Sequence, residues 1–334
     1  MSKIKPSKGS PYARILGVGG YRPVRVVPNE VILETIDSSD EWIRSRSGIA
    51  TRHWASPQET VAAMSVEASG KALAAAGIEP EKIGAVIVST VSHFKQTPAV
   101  ATEIAHRIGA GKPAAFDISA GCAGFGYGLT LAKGLIVEGS AEYVLVIGVE
   151  RLSDLTDLED RATAFLFGDG AGAVVVGPSD EPGIGPTVWG SEGDKSETIK
   201  QTVPWDEYRS TDSAEKFPAI TQEGQAVFRW AVFEMAKVAQ QALDAAGITA
   251  DDLDVFIPHQ ANMRIIDSMV KTLKLPEHVT VARDVETTGN TSAASIPLAM
   301  ERLLATGAAK SGDTALVIGF GAGLVYAATV VTLP

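Results

Sequence analysis

Cys122 is the only cysteine of the chain and lies in SAGCAGFGYG. A single cysteine forms no intrachain disulfide and excludes a cysteine-rich zinc site. On base rates a lone thiol is a buried, inert core residue, so its neighbours have to change the odds. Small residues on both sides allow close backbone approach and a sharp strand-to-helix turn. A helix starting near Ala123 would aim free N–H groups and its positive dipole end at the sulfur. Such a site lowers a thiol pKa from about 8.5 towards roughly 4–7 and yields a thiolate without a dedicated base. The same N–H groups can hold the oxyanion of a tetrahedral intermediate, worth about 3–4 kcal/mol per donor. The chemistry would be acyl transfer through a covalent intermediate.

Two further side chains could serve it. His259 lies in IPHQAN and Asn290 in TTGNTSAAS. Taken alone, a strand-end histidine is structural and an asparagine before a helix is a favoured N-cap. Their placement relative to Cys122 is what argues for a shared site. The five histidines show no ligand spacing, so no metal is expected. FGDGAG (167–172) and GFGAG (319–323) each run into a strand rather than a helix, and GVGGY (17–21) does not fit the dinucleotide fingerprint. These glycines read as tight turns lining a site, and neither NAD nor ATP is expected.

The elements that must position these residues alternate between helix-like and strand-like, which argues for an α/β protein. The alternation also repeats. ALAAAGIEPEKIGAVIVS, from Ala72, resembles ALDAAGITADDLDVFIPH, from Ala242. In both, a helix stops at a glycine and a strand follows. YVLVIG (143–148) then matches TALVIG (314–319), and GLIVEG (134–139) faces RLLATG (302–307). Walking back without a gap puts Gly121-Cys122 opposite Gly289-Asn290. The chain thus reads as two copies of one unit, an N-terminal half over 12–180 and a C-terminal half over 223–334. Residues 181–222, rich in Pro, Gly and charge, connect them as loop or edge elaboration. His259 ends the second copy of a strand whose first copy ends at Ser89. Polar side chains at strand ends and helix starts near a pseudo-twofold axis mark the ligand site of an open α/β sheet.

Composition bounds the partners. The 334 residues include 45% hydrophobic and 21% charged, as in an ordinary globular protein. A formal net charge of −11 argues against nucleic acid and anionic membrane. No apolar run is long enough to span a bilayer and no signal-peptide pattern opens the sequence, so a cytoplasmic protein is expected.

AGCAGFGYG, FGDGAG, HQAN, GNTSAAS and GFGAG together resemble the β-ketoacyl-acyl carrier protein synthase III family. The similarity runs from about residue 12 to the C-terminus and includes DSSDEWIRSRSGI (37–49). It implies a thiolase-like fold, internally duplicated and five-layered (αβαβα), and a homodimer. It implies condensation of a short acyl-CoA primer with malonyl-acyl carrier protein, with no cofactor beyond the acyl-CoA substrate. Thiolases commonly use a second cysteine, and elongating condensing enzymes a second histidine where Asn290 stands. A starter or secondary-metabolite synthase of the same subfamily is the nearest rival, and an inactive carrier-binding scaffold a more distant one.

The resemblance also assigns roles. Cys122 matches the nucleophile, and His259 and Asn290 the pair that binds the malonyl thioester carbonyl. Phe320 matches a phenylalanine beside the cysteine, and the Ala322 N–H a second oxyanion donor. Trp42, Arg46, Ser47 and Arg161 match positions that hold the coenzyme A nucleotide, and Gly224 and Asn262 contacts to its pantetheine arm. Arg229, Arg264 and Lys271, with the stretch Gln260, Ala261, Asn262 and Met263, match the carrier-protein docking surface. Thr97 matches a position that closes the acyl pocket across the dimer, where acetyl-selective members have phenylalanine. The smaller threonine implies a roomier pocket that takes branched or longer primers alongside acetyl.

Overall fold

Ile83–Ser89 and Tyr143–Arg151 are apolar at nearly every position. Strands of that pattern need cover on both faces. The computed structural model describes residues 4–210 and 217–334 and provides that cover from helices. The first sheet contains β1 (Tyr12–Tyr21), β2 (Ile83–Ser89), β3 (Ala114–Ile118), β4 (Tyr143–Arg151) and β5 (Asp169–Ser179), in the order β1-β5-β4-β2-β3. The second contains β6 (Val188–Ser191), β7 (Val255–Pro258), β8 (Thr280–Val281), β9 (Thr314–Gly321) and β10 (Val325–Thr332), in the order β6-β10-β9-β7-β8. Strand directions correspond pair by pair: antiparallel at β1-β5-β4 and β6-β10-β9, parallel at β4-β2-β3 and β9-β7-β8.

The helices are α1 (Asp40–Ser47), α2 (Val61–Ala76), α3 (Gly124–Glu138), α4 (Gly224–Phe233), α5 (Met235–Ala246), α6 (Met263–Leu273) and α7 (Ser295–Thr306). The alternation of strand side chains sorts them into layers. Val86 and Val88 pack with Met64 and Leu73 of α2, whereas Ile87 packs with Phe125 and Leu129 of α3. That central core also takes Ile296 and Met300 from α7 and Ile257 and Val317 from the second sheet. Phe256 and Leu316 face the other way, onto Met235 and Leu243 of α5 and Met269 of α6. The result is α-β-α-β-α, with α3 and α7 sandwiched between the sheets. Each fully buried Leu, Ile or Phe contributes about 1.5–3 kcal/mol. The helix stops also repeat: Gly77 (φ 64°) and Gly247 (φ 73°) end α2 and α5 in the left-handed region. In each case the next N–H returns to the helix, from Ile78 to Leu73 and from Ile248 to Leu243.

One sequence expectation gains detail and another changes. Val188–Ser191, inside the stretch expected as loop or edge elaboration, is the edge strand of the second sheet and the counterpart of β1. Residues 211–216 of that stretch lie outside the described residues. The register of the duplication shifts as well. α7 has 12 residues where α3 has 15, so a gapless walk back along it slips by the difference. Gly121–Ala123 and Ser292–Ala294 each form one 3₁₀ turn before the central helix. Gly121 (φ 46°) and Ser292 (φ 47°) open those turns in the left-handed region. The counterpart of Cys122 is therefore Ala293, and Asn290 sits just upstream of the matching turn.

Each turn is embedded in the other half. A Cβ on Gly148 of β4 would lie 2.1 Å from the Ala293 carbonyl oxygen, and one on Gly319 of β9 would lie 2.8 Å from the Cys122 carbonyl oxygen. Only glycine permits either approach. A lobe built on Ile43, Ile49, Leu155 and Phe165 packs beside the layers and carries α1. Among the described residues no helix is long and apolar enough to cross a membrane.

Candidate active site

A cavity of about 830 Å³ opens where the two turns meet, and Cys122, His259, Asn290, Phe320, Gly321 and Ala322 all line it. Cys122 is supplied by the turn before α3, His259 by the end of β7, Asn290 by the loop before α7, and Phe320–Ala322 by the end of β9. Gly321 passes so close that a Cβ there would lie 2.8 Å from the Cys122 sulfur. The Ala322 N is 3.4 Å from the Cβ position of Gly121, which brings a second backbone donor to the turn. Gly321→Ala should therefore displace Cys122 and slow its acylation on the order of 100-fold, as misplacement by about 1 Å does. Single-turnover acylation kinetics check this, and a rate within twofold of wild type would show that the strand end yields.

The resting sulfur is a thiol, contrary to the sequence expectation. Burial pushes the Cys122 thiol up to about 12; a Ser292 hydrogen bond opposes the shift, the Glu150 carboxylate adds to it, and the Cys122 N–H opposes it. The reason lies in magnitudes. Cys122 is only half-buried at the cavity wall but is packed closely by protein atoms, and such desolvation shifts a pKa by up to about 3–5 units when complete. A helix end contributes at most about 2 kcal/mol, roughly 1.5 units. Desolvation wins at α3.

His259 is 2% exposed, and burial holds its imidazole far below the usual range, at about 3. It is neutral at physiological pH. Its Nδ1 lies 2.8 Å from Ser295 Oγ, which also accepts from the Gln260 N–H at 3.3 Å. The Ser295 proton is satisfied when Nδ1 accepts it, which puts the histidine proton on Nε2. The Phe320 ring stands edge-on to the imidazole at 5.4 Å and to Trp230 at 6.1 Å. For Asn290, the Oδ1 accepts from the Ser292 N–H at 2.8 Å, so the Nδ2 group is left to donate. The site thus offers one sulfur nucleophile and two neutral N–H donors.

The remaining expected residues divide. Trp42 lies beside two guanidinium groups, with Arg161 4.8 Å and Arg46 5.9 Å from its ring centroid. They do not line the cavity but stand on the neighbouring lobe, tied to it by Asn262 Nδ2 donating to the Arg46 carbonyl at 3.1 Å. Asn262 Oδ1 also caps α6 through the Arg264 N–H, so both ends of this amide are occupied. Ser47 is fully buried, and its hydroxyl donates to Ile43 O and accepts from Ile49 N. It presents nothing to a nucleotide, a correction to its expected role. Gln260 and Met263 are buried too and are removed from any docking surface. Gln260 braces the His259 loop through Pro258 O, Ala282 O and Val285 N. Met263 packs where Gly48 leaves room. Ala261 lines the cavity, and Gly224, Arg229, Arg264 and Lys271 are exposed. Thr97 is exposed and lies outside the cavity of its own chain.

Sequence reasoning missed Glu150, Ser292 and Ser295. Glu150 had a signal: it is a charge closing the apolar run YVLVIGV. The two serines look like ordinary small residues around a turn.

Comparison with known proteins decides the family. Residues 116–193 match the model of 3-oxoacyl-[acyl-carrier-protein] synthase III, and residues 243–333 that of its C-terminal part. Over the full length of both chains the sequence is 86% identical to β-ketoacyl-[acyl-carrier-protein] synthase III 1 of Streptomyces coelicolor. It is 87% identical, again over both full lengths, to the β-ketoacyl-[acyl-carrier-protein] synthase III of Streptomyces glaucescens. The chain belongs to the β-ketoacyl-[acyl-carrier-protein] synthase III family. Among solved structures, the priming β-ketosynthase of the R1128 polyketide biosynthetic pathway superposes with a TM-score of 0.97 at 48% identity, covering 100% of this chain and 99% of that one. As a synthase III the chain is an acyltransferase of the thioester-condensing class with a thiolase-like fold.

Proposed function

We propose that Cys122 carries the primer acyl group and that His259 and Asn290 stabilise the malonyl enolate during condensation. The observation that carries this is the convergence of a thiol with two neutral N–H donors on one cavity. In the first stage the Cys122 sulfur attacks an acyl-CoA carbonyl. The oxyanion is held by the Cys122 and Ala322 N–H groups, and CoA leaves. In the second stage His259 Nε2–H and Asn290 Nδ2 donate to the thioester oxygen of malonyl-acyl carrier protein. Loss of CO₂ builds enolate charge on that oxygen, where preorganised donors are strongest. The carbanion attacks the acyl-Cys122 carbonyl and forms 3-oxoacyl-carrier protein. Each step uses the chain's own groups, and no cofactor enters the scheme.

Coenzyme A would enter past the lobe. Trp42 offers a face for adenine, and Arg46 and Arg161 suit its phosphates. Arg229, Arg264 and Lys271 form a local basic patch on an acidic protein, which suits an acidic carrier. The synthase would act as a cytoplasmic homodimer. Strand β3 lies at the edge of its sheet, a position open to pairing with a second copy, and the exposed Thr97 would close the partner's pocket.

Incubating the synthase and malonyl-carrier protein with acetyl-, isobutyryl- and longer acyl-CoA, then weighing the carrier products, tests this. The expected products are 3-oxoacyl carriers from branched as well as acetyl primers. Strict acetyl selectivity would overturn the pocket reading, and no condensed product would overturn the function. The likeness to a priming ketosynthase favours one second reading, the supply of starters to a polyketide assembly. A preference for the carrier of such an assembly in the same assay would establish it.

A further inference from the structure

Arg52 lies on the short strand Thr51–Trp54 and is fully buried. Burial lowers its guanidinium to about 10, against the opposing charges of Asp40 and Glu30, so it stays charged at physiological pH. Among the described residues its hydrogen bonds go only to neutral oxygens. Nη1 donates to Val27 O at 3.2 Å, and Nη2 donates to Asn29 Oδ1 at 2.7 Å and Phe165 O at 2.8 Å. Its Nε has no partner among them. A charge buried without a counter-ion in contact is costly, and a packed apolar side chain would suit stability better. Nothing in the two-stage scheme above uses this guanidinium.

Its partners join the lobe to Asn290. Phe165 begins a segment, 165–168, that runs from the lobe to the cavity. The Phe165 ring stands edge-on to Trp42 at 5.4 Å, and Phe167 lines the cavity. Leu166 O accepts from the Asn290 N–H at 2.8 Å, and the Gly168 N–H donates to Asn290 O at 3.0 Å. Both backbone groups of Asn290 are therefore held by this segment. Arg52 also packs against the pairing: its Cβ lies 2.9 Å from the Cβ position of Gly289 and 3.3 Å from that of Gly168. A Cβ on Gly168 would lie 2.2 Å from Thr288 O. The other branch of the guanidinium reaches Asn29, whose Nδ2 donates to Asp40 Oδ1 at 2.7 Å and Ile49 O at 2.9 Å. Asp40 opens α1, which carries Trp42 and Arg46.

We infer that Arg52 is a positioning residue for condensation: it pins the 165–168 segment to which the Asn290 backbone is bonded, and so aims the Asn290 Nδ2 group. This deepens the reading of Asn290 as a donor in the second stage and rests on it. A planar guanidinium reaches Val27, Asn29 and Phe165 from one fixed side chain, which a point charge on a flexible stem does not reproduce. A donor stabilises developing charge most when it is held in place beforehand. Asn290 Oδ1 is already tied to the Ser292 N–H at 2.8 Å. The remaining freedom of the amide is that of its backbone, and the segment fixes that. The first stage is spared. The oxyanion donors proposed for it stand on the Cys122 turn and the end of β9, which no Arg52 hydrogen bond reaches.

The test compares the two half-reactions in the full-length protein. One is acyl transfer from labelled acetyl-CoA without carrier, and the other is single-turnover condensation of the acylated enzyme with malonyl-carrier protein. Arg52→Met should slow condensation on the order of 100-fold, as misplacement by about 1 Å does, and leave acyl transfer within about threefold of wild type. In an Asn290→Ala background the same exchange should cost no more than about threefold, because the group it aims is gone. A guanidinium that only stabilises the fold would slow both half-reactions together and keep its full cost in that background. Either result overturns the inference, as does an Arg52→Met enzyme that condenses at the wild-type rate. Should Arg52→Met not fold, Gly168→Ala moves the segment off Thr288 O with Arg52 in place and should give the same split. Equal losses in both half-reactions, or none, would then overturn the inference. An Asn290→Ala enzyme that condenses normally would instead defeat the donor reading on which it rests.

Discussion

His259→Ala and Asn290→Ala should each slow condensation on the order of 10²–10³-fold while sparing the first acyl transfer. In the proposed scheme the two donors meet the malonyl oxygen only in the second stage, as it takes on enolate charge. Removing one such donor costs on the order of 10²–10³ in rate, and the double variant should lose less than the product because the pair acts as a unit. His259 is also the edge-on neighbour of Phe320, so part of its loss is expected to come from a shifted Phe320 ring. Acyl transfer from labelled acetyl-CoA, assayed without carrier protein, should stay within about tenfold of wild type, since the oxyanion donors of that stage are backbone groups. Measuring the half-reactions separately checks this. Equal losses in both would place the two residues in the first stage and contradict the division of roles. A pH consequence follows from the histidine's burial. With the imidazole held at about 3, it is the neutral donor at every pH above that value. Condensation should therefore not fall between pH 8 and 5 through protonation of His259. A decline with a midpoint near the ordinary histidine value of about 6.5 would contradict the buried environment.

Cys122→Ser should lose acyl transfer by roughly 10⁴-fold or more, the scale on which removal of a catalytic nucleophile acts. A serine hydroxyl in the same turn has neither the acidity nor the nucleophilicity of the thiol. The exchange is close to isosteric, so the thermal midpoint should move by only a few degrees. Persistent labelling of this variant would remove Cys122 from the mechanism.

The sequence carried the architecture unusually far because the fold is a repetition. The ALAAAGI and ALDAAGI stops became two helix ends with the same left-handed glycine and the same returning N–H. YVLVIG and TALVIG became the matching strands β4 and β9. Local signals of this kind depend on a few adjacent residues and survive without coordinates. What failed depended on lengths and on the third dimension. The shortened α7 shifted the gapless register, so Asn290 was paired with Cys122 in place of Ala293. The expectation of a thiolate rests on the helix N-terminus beside Cys122, which a sequence can suggest, and not on desolvation, which a sequence cannot show. Ser47, Gln260 and Met263 were expected at surfaces because motifs place residues in order along the chain and say nothing of which side turns inward. Glu150 lies far from Ser292 in the chain and meets it only through the interlocked turns.

If the acyl group rests on Cys122 between the two stages, the intact mass of the synthase exposed to acetyl-CoA without carrier protein should show it. A single acetyl adduct is expected, located by digestion on the peptide containing Cys122 and discharged when malonyl-carrier protein is added. An adduct on any other residue, or condensation proceeding at full rate with no adduct ever formed, would contradict it.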